Sequence, residues 1–353
     1  MSEILSRRTF LTRGAQYGVA GAALLGAPRM LNVPGSRLGA NGKGAAKLGE
    51  AALQLSWIEN VEFDGSYIAD TKGYYKAAGL NVTLLSGGPN VAELAVLESG
   101  KALVALADSV VDATANNQGA NLKVIGAGYQ KSPYAMMSMA KAPLKTPHDM
   151  IGKRIGVPAG DLNGWDAFLK VNNIPTSKVH SVPVQFDPSV LPAGEVDGFI
   201  SYYQEEPSEL AAKGYKVHVF LWEDFGFHIL TETYAVTAAS LNDPIKRAQI
   251  VALMTGEIRG YQDAVKNPAY GAKLTVQKYG KNLGLSLAEQ TNEAVRAIPL
   301  IVTPDTKAHG IFYMTPQKIN QTVQTLKVAG VKCKASMFTN EILDEIYKGK
   351  SHI

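Results

Sequence analysis

Between Ala51 and Gly126 the chain changes its hydrophobic period at almost every glycine or asparagine. Leu53-Gln54-Leu55-Ser56-Trp57 alternates like a strand, and 64–78 carries helical spacing that stops at Gly79. Residues 80–85 read as a strand closed by Gly87-Gly88, 91–99 as a helix and 102–107 as a strand. A helix over 110–117 and a strand over 122–126 complete the run. Switching between periods of 2 and 3.6 at turn residues predicts an α/β fold with a largely parallel sheet. The pattern restarts near Thr146-Pro147, with strands over 154–157, 179–184, 198–202, 217–221 and 232–237 and helices over 164–171 and 209–213. Beyond Pro244 it is mainly helical: 245–265, 270–279, 287–297, 316–328 and 340–348.

Two such blocks predict two α/β lobes joined by a hinge of two crossing segments, placed near Ser138–Lys145 and Tyr234–Asn242. Residues 51–141 and 238–353 are assigned to lobe 1 and 142–237 to lobe 2. Open sheets of this kind bind ligands outside the carboxyl ends of their strands. Two facing lobes turn those ends into a cleft that hinge closure can bury.

Composition narrows the function. With 353 residues, 46% hydrophobic and 19% charged, the chain can bury a substantial core. Past the first 27 residues it carries 32 basic against 30 acidic side chains and no basic run, so it offers no field for nucleic acid. Its one cysteine, Cys333, can form neither an internal disulfide nor a thiolate metal site alone. The six histidines are scattered, with no two at metal-binding helical spacing. No P-loop or Gly-x-Ser-x-Gly elbow occurs. No cofactor or metal is expected.

Ser6-Arg7-Arg8-Thr9-Phe10-Leu11 precedes a weakly apolar run, Tyr17 to Ala27. That arrangement resembles a twin-arginine export signal, assigned to 1–28. The run is too short to span a hydrocarbon core of about 30 Å as a helix. No cysteine follows it to carry a lipid anchor. Residues 29–50, with Pro34 and five glycines, read as a flexible lead-in. The expectation is export through the twin-arginine translocase, with the protein free in the periplasm or held by an uncleaved signal.

Trp57-Ile58-Glu59-Asn60, then Gly65-Ser66-Tyr67-Ile68-Ala69, then Lys72-Gly73-Tyr74-Tyr75-Lys76-Ala77-Ala78-Gly79-Leu80-Asn81-Val82 form a distinctive stretch. Gly194-Glu195-Val196-Asp197-Gly198 and Tyr202-Tyr203-Gln204-Glu205-Glu206-Pro207 follow downstream. Together they resemble the NMT1/THI5-like and sulfonate/nitrate-type substrate-binding proteins of ABC importers, well over 52–240 and loosely beyond. The resemblance implies a periplasmic-binding-protein type II fold, a small-molecule ligand, an ABC permease as partner and a monomer. Thiamine-pyrimidine and riboflavin binders resemble the chain best. Glu205 stands where many relatives have Asn, which leaves the ligand's finer identity open.

Eight residues are candidates for ligand contact. Trp57, at a strand end, offers an indole face for a flat ring, and Asn60 a donor and an acceptor for its edge. Gly88 precedes a helix whose first N–H groups are free. Asp108 and Asp161 sit where strands turn into helices and can face the cleft or cap the helix; for Asp161 the cap is favoured. Tyr202 can stack or donate, and the Glu206 carboxylate can accept paired N–H bonds from an aminopyrimidine edge. Phe225 is a candidate pocket wall. None of the eight is basic, which favours a neutral or cationic ring over an alkyl sulfonate or nitrate. A sensory binding lobe is an alternative role. An enzyme like the yeast-type pyrimidine synthases would need a desolvated Schiff-base lysine and clustered cysteines, and the latter are missing.

Overall fold

A computed structural model describes residues 47–353. The export segment 1–28 and most of the lead-in lie outside the described residues, while Gly49 and Glu50 already belong to the first strand.

Ten strands build two five-stranded sheets. The first holds β1 (Gly49–Gln54), β2 (Leu80–Leu85), β3 (Val104–Asp108) and β4 (Leu122–Tyr129). The second holds β5 (Tyr134–Met139), β6 (Arg154–Pro158), β7 (His180–Val184), β8 (Gly198–Tyr202) and β9 (Val217–Leu221). β10 (Thr231–Thr237) returns to the first sheet. The spatial orders are β2-β1-β3-β10-β4 and β7-β6-β8-β5-β9, so the two sheets share one plan. In each, four strands run in the same direction, and the strand delivered by a lobe crossing is inserted antiparallel between the third and fourth.

The crossings therefore lie at 130–133 and 222–230, not at Ser138–Lys145 and Tyr234–Asn242. Both expected lobe boundaries move earlier with them: 134–139 belongs to lobe 2 and 231–237 to lobe 1. The reason is local composition. β5 reads Tyr-Ala-Met-Met-Ser-Met, without a β-branched residue, and carries almost no intrinsic strand signal. β10 is a buried strand of mixed composition, Thr-Glu-Thr-Tyr-Ala-Val-Thr, that fits either sheet, and nothing local states which one.

Most predicted elements appear near their expected places. The helix expected over 64–78 is broken into Asp64–Thr71 and Tyr74–Ala77 by Gly73, which adopts φ 71°. That expected over 270–279 is an α-helix over Pro268–Leu274 continued by a π turn over Thr275–Tyr279. Among the described residues no helix is long and apolar enough to cross a membrane.

The first lobe's core packs Leu53, Val104, Leu106, Ile125 and Val236 of the sheet against Ile250, Leu253 and Ile258 of the long helix Pro244–Lys266. Asp243 caps that helix through bonds from Ile245 N (2.8 Å) and Lys246 N (3.0 Å), with Pro244 at its first position. The helix reaches its neighbour Asp64–Thr71 by glycines: a Cβ on Gly260 would fall 2.0 Å from the Gly65 carbonyl oxygen. Gly260→Val should therefore cost about 1–3 kcal/mol or more through forced separation of the two helices. Denaturant melting would read this as a lower midpoint, and an unchanged midpoint would refute the close crossing.

Candidate functional site

The parallel strands of both lobes aim their carboxyl ends at one gap. Past the end of β1 come Ser56 and Trp57, β3 ends on Asp108, Gly160 and Asp161 follow β6, and β8 ends on Tyr202. The antiparallel strands reach the same gap by their first residues, Tyr134 of β5 and Glu232 of β10. All of these line one cleft with an empty volume near 630 Å³, measured out to solvent at its mouth.

Trp57 is half-buried and lies across the gap rather than inside one lobe. Its ring reaches the opposite wall closely enough that a Cβ on Gly160 would stand 3.9 Å from Trp57 Cζ3. Gly88 lines the same cleft with φ 147°. Of the expected residues, Trp57, Gly88, Asp108, Asp161, Tyr202 and Glu206 come together here.

Asn60 and Phe225 do not. Asn60 caps a 3-10 turn by accepting from Glu62 N (3.1 Å) and donates through Nδ2 to Glu205 Oε2 (3.0 Å) on the other lobe. Both ends of its amide are occupied in tying the lobes together, and it faces a neighbouring groove. Phe225 packs edge-on against Phe220, with ring centroids 5.1 Å apart, because Gly226 turns the chain with φ 81° and sends Phe227 into the core instead.

Asp108 plays both parts weighed for it. Its Oδ1 accepts from Val110 N (2.6 Å) and Val111 N (2.9 Å) at the start of the helix Ser109–Asn117, and its Oδ2 accepts from Tyr134 Oη at 2.9 Å. Asp161 makes no cap. Its Oδ1 lies 3.1 Å from the same Tyr134 hydroxyl. One phenol hydrogen cannot serve two carboxylates fully, so the second contact needs a proton on a carboxyl. Burial pushes Asp161 up to about 7, with Asp108 adding to the rise. Tyr134 is aimed by a stack of rings: Trp222 lies 4.8 Å from it at 12°, and Phe168 4.4 Å from Trp222 at 8°.

Glu206 Oε2 accepts from Tyr202 N (2.9 Å), which holds the turn after β8. A further clamp comes from Arg296, which donates to Tyr203 O (2.6 Å) and Ser208 Oγ (2.9 Å) across the lobes.

Sequence reasoning missed most of the acid in this site. Seven carboxyl groups line the cleft: Glu62, Glu93, Asp108, Asp161, Glu205, Glu206 and Glu232. No lysine, arginine or histidine lines it among the described residues. Burial raises Glu62, Glu205 and Glu206 well above the ordinary carboxyl range, and mutual repulsion adds to it. Glu93 rises to about 7 and Glu232 to about 8, chiefly by burial. Glu62 and Glu232 neighbour each other in the cleft, and the Glu232 carboxyl adds to the rise that burial imposes on Glu62. Glu232 adopts φ 48° at an irregularity in the pairing of β10 with β3. A left-handed glutamate in a central strand is a strained choice of the kind that marks function. Among the described residues no group of three or more acidic, histidine or cysteine side chains is arranged to hold a metal ion.

Architecture and cleft together define a solute-binding protein of the periplasmic-binding-protein fold. Residues 60–270 match the model of the NMT1/THI5-like family, and the chain belongs to that family. It is 26% identical over 309 residues to the riboflavin-binding protein RibY of Chloroflexus aurantiacus, covering 84% of this chain and 86% of the relative. Among solved structures it resembles the alkanesulfonate-binding protein SsuA of Xanthomonas axonopodis pv. citri, bound to MOPS. The TM-score is 0.59 at 17% identity, over 81% of this chain and 96% of that one. The desulfurization enzyme DSZB shares the fold with a TM-score of 0.52 at 13% identity, over 84% and 99% of the two chains.

The crowded carboxyls set the sign of a pH effect. Groups whose folded values are raised stabilise the fold fully below their unfolded value, about 4, and lose that contribution as pH climbs through their folded values. For Glu93, Asp161 and Glu232 the loss runs up to pH 7–8. Surface carboxylates held low, such as Asp197 beside Arg154, act below that window. The ligand-free protein should melt at a lower temperature at pH 8 than at pH 5. Glu232→Gln should narrow the difference, and a flat or rising profile in scanning calorimetry would contradict the assignment.

Proposed function

We propose that this chain is the solute-capturing component of an ABC importer. It works as a monomer at the extracytoplasmic face, after export by the twin-arginine translocase, and hands a small heteroaromatic nutrient to a permease. A thiamine pyrimidine precursor or a similar compound fits best. The observation that carries this reading is a narrow gap with ring faces, Trp57 and Tyr202, on opposite lobes and carboxyl acceptors between them. Stacking on an aromatic face adds about 0.5–1.5 kcal/mol beyond area burial. The Glu206 carboxyl, which lines the cleft, adds an acceptor for a ring N–H edge.

Riboflavin is the second reading, favoured by the likeness to RibY over most of both chains. A sulfonate or other anion is disfavoured, because among the described residues seven carboxyls and no cation surround the place it would occupy. Catalysis by a cysteine or a Schiff-base lysine also lacks its reagents here. No lysine lines the cleft among the described residues, and Cys333 stands elsewhere with its thiol pushed up to about 11 by burial.

A thermal-shift screen of pyrimidine precursors, flavins, purines and sulfonates should return a ring compound that raises the melting temperature by mass action. With that compound, Trp57→Ala and Glu206→Ala should each weaken binding about tenfold or more while the folded proteins keep their circular dichroism. Titration calorimetry giving wild-type affinity for both variants would end the proposal.

A further inference from the structure

We propose that the cleft takes an organic cation, a flat ring carrying a protonated amine or amidinium whose charged N–H edge seats at the Glu62 and Glu232 carboxyls in place of a proton. The inference rests on the reading that the cleft holds the solute, and it adds the charge class.

The acidic lining alone would not carry it, since buried acids are often simply neutral. The further observation is a set of orphaned atoms. Glu62 Oε1, Glu232 Oε2 and Ser201 Oγ are buried without a protein donor or acceptor, in residues that are 7%, 4% and 2% exposed and that all line the cleft. Glu62 and Glu232 come from the first lobe and Ser201 from β8 of the second, so a ligand that satisfies all three must bridge the walls. Orphaned buried acceptors cost about 1–3 kcal/mol each, and more when charged. A cation with several N–H donors supplies the missing donors and offsets one of the two carboxylate charges, whereas a neutral ring supplies donors and no charge.

The surroundings offer nothing else to do this. Around Glu62 stand Glu205 and Glu206, with the phenols of Tyr67, Tyr129, Tyr202 and Tyr261 beyond them. Around Glu232 stand Asp108 and Glu93, with Ser56 Oγ donating to its Oε1 at 2.7 Å. None of these groups can be positive. Without ligand, burial and the neighbouring carboxyls keep a proton on this coupled pair. When the cation enters, its N–H bonds replace that O–H bond and the proton leaves to the buffer, so charge is conserved. Cation affinity should accordingly rise with pH until the pair is ionised and fall as the pH is lowered.

The test is titration calorimetry of the mature-length protein at pH 7 in phosphate and in Tris, whose ionisation enthalpies differ. The probes are thiamine and 4-amino-5-aminomethyl-2-methylpyrimidine as cations, the 5-hydroxymethyl pyrimidine and riboflavin as neutral rings, ethanesulfonate as an anion and putrescine as a cation without a ring. A cationic ring binding at least about tenfold tighter than the hydroxymethyl pyrimidine, with buffer-dependent heat reporting proton release, is the expected result. Glu62→Gln and Glu232→Gln should each abolish both the preference and the proton release, and agreement between the two guards against a folding artefact in either. Equal or tighter binding of the hydroxymethyl pyrimidine, riboflavin or ethanesulfonate overturns the charge assignment and leaves the solute-binding reading standing. Binding of putrescine with no ring compound bound overturns the heteroaromatic reading and supports the charge assignment, and binding of no probe overturns both.

Discussion

The chain passes between the lobes twice, and each passage delivers a strand that must run against its new neighbours. β5 enters the second sheet beside β8, and β10 enters the first beside β3, both antiparallel. This fixes where chemistry can gather. Parallel strands bring their last residues to the gap, and an antiparallel strand in the same sheet brings its first. Asp108 and Tyr202 arrive by the first route, Tyr134 and Glu232 by the second. The two crossings are short, so the residues that anchor the hinge and the residues that line the cleft are near neighbours in sequence. Closure and ligand contact are mechanically linked for that reason. Arg296 and the Asn60–Glu205 bond hold the lobes together immediately beside the cavity.

A closed gap of this composition carries an electrostatic cost. Seven carboxyls in a partly desolvated space cannot all be ionised, and the folded protein answers by keeping protons on several of them. The Tyr134 hydroxyl spans Asp108 and Asp161, and Glu62 leans on Glu232. Each arrangement stabilises the empty site enough to persist without removing its deficit of donors. Any parting of the lobes that let water reach these groups would gain correspondingly as the pH rises. A ligand that supplies donors reverses the balance in favour of closure, which is the response required of a hinge that must distinguish loaded from empty.

Part of this was legible in the sequence. Period switches at glycines gave the α/β blocks, and strand-end positions gave Trp57, Asp108, Asp161, Tyr202 and Glu206, because in such a sheet position along a strand is position relative to the cleft. What was not legible depends on pairing across the chain. Tyr134 opens a strand built mostly of Met and Ala, and its role appears only once β5 is seen between β8 and β9. Glu62 sits in a turn that any acidic residue could occupy, and its meaning comes from Glu232, 170 positions away. Glu205 read as a departure from a family pattern and is the partner of Asn60. Phe225 was one of two phenylalanines flanking Gly226, and only that glycine's left-handed backbone decides which faces the core. Glu232 itself carries a clue: it is the one charged residue of a buried central strand, between two threonines.

The contrast with Glu257 shows why that clue was worth following. Glu257 is also fully buried on the first lobe, yet it accepts from Tyr75 Oη, from Tyr234 Oη at 2.7 Å and from Ser66 Oγ at 2.9 Å. Those donors come from two helices and a strand that pack together, so the carboxyl is a fastener whose hydrogen-bonding capacity is spent inside the fold. Glu232 has one donor, Ser56, and one oxygen with none. Its strand is displaced to a left-handed backbone to turn it toward the gap, and Gly128 on the adjacent strand leaves the space, since a Cβ there would lie 2.9 Å from Glu232 Cβ. A protein that needed only a filled core would place an apolar residue at this position with regular pairing. The strain, the cleared space and the unsatisfied oxygen become intelligible together only if something from outside completes the site.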